Sequence, residues 1–284
     1  MSFAADVKTE LCAAYANRLC CIKAELAAML LFGGNADESL ITLRTERTDI
    51  FKRVCILLKK ALGYAERQTE PDIKVPLALV DELGITMEGG EAAIDEEIFA
   101  EECCKRAFFR GAFLMAGTVS DPAKNYRIEL FAYNETVAAL ASEMLESYGL
   151  HPGSTSRKNY YVIYLEDYES VCDSLTVMGA SRSMMEMAYV QIEKDINNQK
   201  NRQGNCFVAN MDKAMAASAR QCAAIDELAR TGALETLPDG LKTVAYERAM
   251  NPEMTLSELA EKVGIGRSTL NRRLSKLVEL GEQL

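Results

Sequence analysis

The sequence contains no tryptophan, a single histidine (His151) and only six prolines in 284 residues. With a single histidine, most catalytic sites of the Ser-His-Asp and Cys-His types and most histidine-based metal sites are excluded, because each of them depends on histidine. No run of roughly eighteen apolar residues is present, and residues 1–11 lack the charged-then-apolar layout of a secretion signal. Hydrophobic residues make up 49% of the chain, which is ample for a core. We expect a soluble cytoplasmic protein with two globular units.

The nine cysteines do not have the spacing of a disulfide framework or a zinc finger. They are odd in number, they include the adjacent pairs Cys20–Cys21 and Cys103–Cys104, and no two have the C-x-x-C spacing. With one histidine, a zinc site would need thiolates alone, and the sequence groups none for it. Reduced and mostly buried thiols are expected, with no metal and no cofactor.

The net charge of −10 is unevenly distributed. Residues 1–195 hold 20 Lys and Arg against 31 Asp and Glu, whereas residues 196–284 hold 12 against 11. Within the second part, residues 262–278 contain five cations and no acid. A short basic segment on an acidic body is the feature that a functional interpretation must explain.

A weak internal repeat occupies the first two thirds of the chain. Each copy has an apolar stretch ending in glycine, then an alternating strand, then an amphipathic helix closed by glycine. Gly34 and Gly117 are 83 positions apart, and Gly63 and Gly149 are 86 apart. A further strand at 160–165 and a helix at 166–178 follow the second copy. The corresponding strand of the first copy is expected at 73–80, where Pro76 suggests an edge position. The copies are predicted at 26–34, 40–45 and 49–62, and at 108–117, 126–133 and 135–148.

These patterns predict two αββα repeats, at about 20–90 and 105–180, in one α/β domain covering residues 1–195. The acidic stretch between the repeats, from Asp81 to Glu102, is predicted to be a solvated helical connector. Residues 196–210 are polar, contain Gly204 and show no apolar period, so a linker is expected. An all-α domain is expected over 211–284, with helices at 211–231, 241–250, 256–263 and 267–280.

Residues 255–280 fit a helix-turn-helix. Thr255 is a suitable N-cap, and Glu258 completes a capping box. Gly264 stands where the turn requires a positive φ. Leu270, Leu274 and Leu277 form the buried stripe of the following helix. Gly266 stands where a capping serine is common, which leaves the start of that helix open by one residue.

The basic segment places polar and cationic side chains on the outward side of the last helix. A helix in the major groove presents its N-terminal outward residues to the bases, so Ser268, Thr269, Asn271 and Arg272 are the predicted readers. The remaining cations are predicted to contact phosphates and to carry most of the salt dependence. They are Lys262, Arg267, Arg273 and Lys276.

Six motifs follow one another along nearly the whole chain, at 2–11, 110–119, 157–164, 201–210, 237–238 and 251–259. Together they resemble the WhiA family of bacterial sporulation and cell-division regulators. The resemblance implies a LAGLIDADG homing-endonuclease-like domain, duplicated αββα in plan, followed by a helix-turn-helix domain similar to the promoter-contacting domain of sigma factors. It also implies DNA binding in transcription control and in cell division or chromosome segregation.

LAGLIDADG nucleases place a metal-binding acid near the end of each motif helix. Alignment on that motif puts Gly33 and Ala116 at the two acid positions, and neither can hold a metal or activate water. Asp37 and Asp121 are close in sequence, but loop carboxylates of this kind are usually only solvated. A catalytically inactive scaffold, not an enzyme, is therefore expected.

The acidic balance of residues 1–195 opposes wrapping of DNA by that domain. Local patches such as Arg44, Arg47, Lys52 and Arg53, or Arg157 and Lys158, remain as alternatives, although a regulatory role through protein partners is favoured. A monomer is expected, because the duplication already supplies the pseudo-dyad. Two other functions stay open: an active metal-dependent endonuclease or maturase, and a protein-interaction module whose DNA binding is incidental.

Overall fold

The computed structural model describes residues 2–14, 17–37, 39–88 and 91–283. The chain divides into two compact units, Met1–Lys194 and Asp195–Leu284. None of the helices in the described ranges is both long and apolar enough to cross a membrane.

The first repeat consists of helices around a small antiparallel sheet. Helix α2 begins after Arg18, and its last residue leads directly into a strand, as the repeat pattern predicted. The sheet order is β1-β2-β3, so β3 is an edge strand, as Pro76 indicated. The elements are α1 (Phe3–Ala13), α2 (Leu19–Gly33), β1 (Gly34–Ala36), β2 (Leu40–Arg44), α3 (Thr48–Leu62) and β3 (Asp72–Pro76).

The connector between the repeats is a hairpin, and the helix predicted for it was wrong. Strands β4 (Ile85–Glu88) and β5 (Glu91–Ile94) pair antiparallel, with short 3-10 helices at Leu77–Leu83 and Glu96–Phe99 on either side. The Gly89-Gly90 dipeptide between the strands lies outside the described residues. Acidic composition alone was a poor guide here, since Ile85 is buried and alternates with polar neighbours, as a strand requires.

The second repeat has the same plan with a larger sheet, which confirms the duplicated αββα fold. Its sheet is antiparallel with the order β6-β7-β9-β8. The elements are α4 (Glu102–Ala116), β6 (Gly117–Val119), β7 (Ile128–Ala132), α5 (Glu135–Glu146), β8 (Gly153–Arg157), β9 (Tyr160–Leu165) and α6 (Tyr168–Met178).

The motif helices α2 and α4 pack against each other at very short range. A Cβ atom added to Gly111 would lie 2.3 Å from the backbone oxygen of Glu25 and 2.9 Å from the Cβ of Ala28. Near the C-terminal end of the pair, a Cβ on Gly33 would lie 2.4 Å from the Cε of Met115. The small residues at these positions therefore serve helix packing, a need that is independent of catalysis.

The second unit is entirely helical among its described residues. Helix α7 (Ser181–Arg230) continues without interruption through 196–210, so the irregular linker predicted there was wrong. The segment contains no proline, and its exposed polar side chains are compatible with a solvated helix. After a 3-10 turn at Ala233–Thr236 come α8 (Asp239–Met250), α9 (Leu256–Val263) and α10 (Arg267–Gly281).

Candidate nucleic-acid interface

Helices α9 and α10 form the helix-turn-helix with the local chemistry that the sequence indicated. The backbone N–H of Glu258 donates to Thr255 Oγ1 at 3.3 Å, and the backbone N–H of Thr255 donates to Glu258 Oε2 at 2.8 Å, which completes the capping box. Gly264 ends α9 with φ +71°, a conformation that other residues adopt only with strain. The turn between the helices is thus fixed by contacts within the segment itself.

The inner face of α10 anchors the helix to the core of the second unit. Leu270, Leu274 and Leu277 are each 0% exposed, and they pack with Leu259 of α9 and Val244 of α8. Burial of three leucines fixes the rotation of α10 about its axis. The opposite face is therefore presented to solvent in one defined orientation.

Four of the predicted DNA contacts lie on that exposed face. Arg267, Ser268, Asn271 and Arg272 are exposed, and within the described parts of the chain none of their side chains has a hydrogen-bond or ion-pair partner. Thr269 is half-buried beside them. Gly266 is the N-cap and has no side chain to bond the first turn, so the helix starts at Arg267 as predicted. The positive end of the helix dipole is thus left open next to Arg267.

The other three predicted contacts have protein partners. Arg273 is half-buried and donates from Nη1 to the backbone oxygen of Gly240, at 3.1 Å. Lys262 Nζ lies 3.2 Å from a carboxylate oxygen of Glu247, and Lys276 Nζ lies 2.9 Å from one of Glu279. Both lysines are exposed, and exposed ion pairs contribute little to stability, so either lysine can exchange its carboxylate for another anion. Arg273, in contrast, links α10 to the first turn of α8.

One residue that sequence reasoning missed is Arg248, which is 2% exposed. Its Nη1 donates to the backbone oxygen of Met254 at 2.7 Å, just before α9 begins, and burial lowers its pKa. Ser218 of α7 donates to the backbone oxygen of Pro252 in the same turn, at 2.5 Å. Both side chains hold the entry to the helix-turn-helix. No sequence pattern around Arg248 indicates that it holds the start of the helix-turn-helix in place.

Gly33, one of the two positions where the nucleases carry an acid, faces a cleft that no described carboxylate lines. Gly33 lines a cavity of about 370 Å³, together with Tyr133 and Asn134, and none of the described residues that line it is acidic. Asp37 is exposed and accepts hydrogen bonds from the backbone N–H groups of Ser39 and Leu40, which lower its pKa. Asp121 accepts one from the backbone N–H of Ala123. Both aspartates therefore stabilise local turns.

The alternative basic patch on the first unit is largely neutralised. Arg53 is buried and bonded to Glu25, so the expectation that it could touch DNA was wrong. Arg47 pairs with Asp49, and Arg157 pairs with Glu129 at 3.3 Å. Arg44 lies 3.8 Å from Asp72 in an exposed pair. Lys52 and Lys158 are exposed.

The expectation that no cysteines are grouped for a metal site was wrong. Cys20 and Cys21 of α2 lie beside Cys103 and Cys104 of α4, with all four sulfur atoms within 4.8 Å of one another. Burial opposes the charged form of Cys20, but hydrogen bonds from the Cys104 and Cys21 thiols and the charge of Arg18 outweigh it and lower its pKa. Burial raises the pKa of Cys21 to about 12. The pairs are too far apart in sequence for spacing to reveal the group.

Comparison with known families gives two matches along the chain. Residues 105–197 match the WhiA LAGLIDADG-like domain, and residues 200–281 match the WhiA C-terminal HTH domain. The second match contains the whole helix-turn-helix.

Relatives of known family match this chain over nearly their full length. A probable cell division protein WhiA of Macrococcus caseolyticus is 33% identical over 100% of this chain and 97% of its own. The protein of the same name from Bacillus velezensis is 34% identical, with the same coverage. The crystal structure of full-length DUF199/WhiA from Thermatoga maritima has a TM-score of 0.60 and 22% identity, covering 100% of this chain and 99% of that one. At that identity the structure supports the fold alone.

Proposed function

Since the chain belongs to the WhiA family, we propose that it is a sequence-specific DNA-binding regulator of transcription that acts in cell division, chromosome segregation or sporulation. The observation that carries the proposal is the outer face of α10. This face is exposed and basic, and no described residue pairs with the side chains of Arg267 and Arg272, whereas the net charge of the chain is −10.

In this proposal the first two turns of α10 enter the major groove. Arg272 can donate two hydrogen bonds to guanine, Asn271 can bond adenine, and the hydroxyls of Ser268 and Thr269 can bond either. Arg267 and the open N-terminus of the helix are placed for a phosphate. Lys262 and Lys276 would exchange their carboxylate partners for phosphates, while Arg273 keeps α10 in register with α8.

The first unit acts, in this proposal, as a scaffold that no longer cuts DNA. Glycine and alanine stand at the two acid positions, and a divalent ion that activates water needs carboxylate ligands there. The close approach of α2 and α4 explains why small residues remain. We infer a regulatory or partner-binding role for this unit and a location at the nucleoid.

Chromatin immunoprecipitation with sequencing tests the proposal in the cell. Discrete occupied sites are expected, and a duplex taken from one of them should bind the purified full-length chain more tightly than a scrambled duplex at the same salt concentration. Occupancy spread evenly along the chromosome, with no preference in vitro, would contradict sequence-specific binding.

The same duplex separates the regulator from the two alternative functions. Incubation with Mg²⁺ or Mn²⁺ should leave both strands intact, whereas specific cleavage would establish a nuclease. The interaction-module hypothesis is favoured only if Arg272→Ala abolishes capture of a protein partner and leaves DNA retention unchanged.

A further inference from the structure

Four cysteines lie together at the N-terminal ends of the paired motif helices α2 and α4. Cys20 and Cys21 occupy the first turn of α2, and Cys103 and Cys104 occupy the first turn of α4. Each pair has one buried and one half-buried member. The pairs are 83 positions apart, the same offset that separates Gly34 from Gly117. The four thiols are therefore related by the pseudo-dyad of the duplication.

We propose that Cys20, Cys21, Cys103 and Cys104 bind a single thiophilic d¹⁰ cation, with Zn²⁺ as the resident ion. Zinc is bound by four thiolates at about 2.3 Å in a tetrahedron, which places the sulfur atoms about 3.8 Å apart. The observed upper limit of 4.8 Å requires only a small contraction of the cluster. An iron–sulfur cluster would need a wider cage, because its own iron and sulfide atoms lie between the cysteines.

The surroundings suit the negative charge of a tetrathiolate centre. Both pairs lie at helix N-termini, where the dipole favours anions. Neither N-cap residue, Arg18 or Glu101, uses its side chain to bond the first turn. Arg18 instead donates from Nη1 to the sulfur of Cys103, at 3.2 Å. Half-buried Cys20 and Cys103 leave a path for the ion from solvent.

The site is separate from the place where the fold's nucleases hold metal. Cys21 and Gly33 are at opposite ends of α2, and twelve residues of helix span roughly 18 Å. An ion bound by the four cysteines would therefore join the N-terminal ends of α2 and α4 and would not approach a scissile phosphate. Its expected role is to stabilise the first unit.

The experiment uses the full-length chain, purified under reducing conditions and stripped of metal. Addition of Zn²⁺ should load one ion per chain, measured by inductively coupled plasma mass spectrometry after dialysis. Co²⁺ in its place should produce thiolate-to-cobalt charge transfer and the intense d–d bands of a tetrahedral centre. Thermal unfolding should shift to higher temperature with either ion.

Cys103→Ser should abolish the tetrahedral cobalt spectrum, while Cys206→Ser, which alters an exposed cysteine of α7, should leave it unchanged. Arg18→Ala retains all four ligands and should weaken zinc binding about tenfold, because it removes a hydrogen-bond donor to one of the ligating sulfur atoms. It also tests the site if Cys103→Ser fails to fold.

Three results would overturn the proposal. The first is a folded, reduced native chain that takes up neither ion with tetrahedral geometry. The second is a loss of metal by Cys206→Ser equal to that of Cys103→Ser. The third is peptide mapping of freshly isolated protein that finds the Cys20–Cys21 segment joined to the Cys103–Cys104 segment by a disulfide, without metal, which would make the cluster a redox pair.

Discussion

Arg110 donates two hydrogen bonds to one oxygen of the Glu25 carboxylate, from Nε at 3.0 Å and from Nη2 at 2.8 Å. Glu25 is 0% exposed, and it also accepts hydrogen bonds from Arg53, including one from Nη2 at 2.9 Å. Three helices, α2, α3 and α4, thus share one buried carboxylate. The group has two guanidinium ions for one acid, so its integrity depends on Glu25.

Glu25→Gln should destabilise the first unit by about 3–5 kcal/mol, because the buried guanidinium of Arg53 and the half-buried one of Arg110 lose the charged carboxylate that they share. Chemical denaturation followed by circular dichroism should show an earlier transition for this unit. Glu227→Gln, which breaks an exposed pair with Arg230, is the matched control and should change stability by at most about 0.5 kcal/mol. Equal effects of the two substitutions would show that the buried triad contributes little.

Arg272→Ala should weaken binding to a cognate duplex by about 1–3 kcal/mol and relax the sequence preference at one position, because a base-reading contact is lost. Fluorescence anisotropy with a set of single-position variants of the duplex measures both effects. Arg230→Ala removes an exposed arginine of α7 in the same unit, one that pairs with Glu227, and should bind as the native chain does. Unchanged affinity of Arg272→Ala at low salt would show that this face does not read DNA.

Lys276→Ala should weaken binding to all duplexes alike, because the contact proposed for it is to phosphate. The slope of log affinity against log salt should fall by about one. A titration over several salt concentrations measures the slope. Loss of preference at one base position would instead place Lys276 among the base readers.

Two glycines of the helix-turn-helix should respond oppositely to the same substitution. Gly264→Ser should destabilise the second unit by about 1–2 kcal/mol, because residue 264 has a positive φ. Gly266 has φ −67° and open space where a side chain would begin, so Gly266→Ser should add a cap and stabilise α10 by about 0.5 kcal/mol. Melting temperatures of the full-length variants test the difference in sign, and shifts in the same direction would contradict the assigned turn.

The helix-turn-helix was predictable from sequence because its determinants are local. The capping box at Thr255, the turn at Gly264 and the leucine stripe all lie within a few residues of the helices that they define. The repeat was predictable for the same reason. The hairpin that begins at Ile85 was not predicted, because the acidic composition of the segment favoured a solvated helix over the strand that its alternation of apolar and polar residues indicates.

Contacts between segments that are distant in sequence could not be predicted from local sequence patterns. Glu25 reaches Arg110 across 85 positions, and Cys20 reaches Cys104 across 84. Pairing of this kind depends on the packing of α2 against α4, which no local spacing records. The burial of Arg53 depends on the packing of α3 against α2 and the end of α1, where it bonds Glu25 and the backbone oxygens of Cys12 and Ala14, so charge alone gave the wrong role for it.

The buried triad makes the two halves of the duplicated unit complementary and no longer equivalent. By the offset of 83, the counterpart of Glu25 is Phe108 and the counterpart of Arg110 is Ala27. Two copies of the first half would bring a second carboxylate to the axis without Arg110, and two copies of the second half would bring arginines without Glu25. The full triad of Glu25, Arg53 and Arg110 therefore forms only when a first half packs against a second half, which favours the pairing of unlike halves.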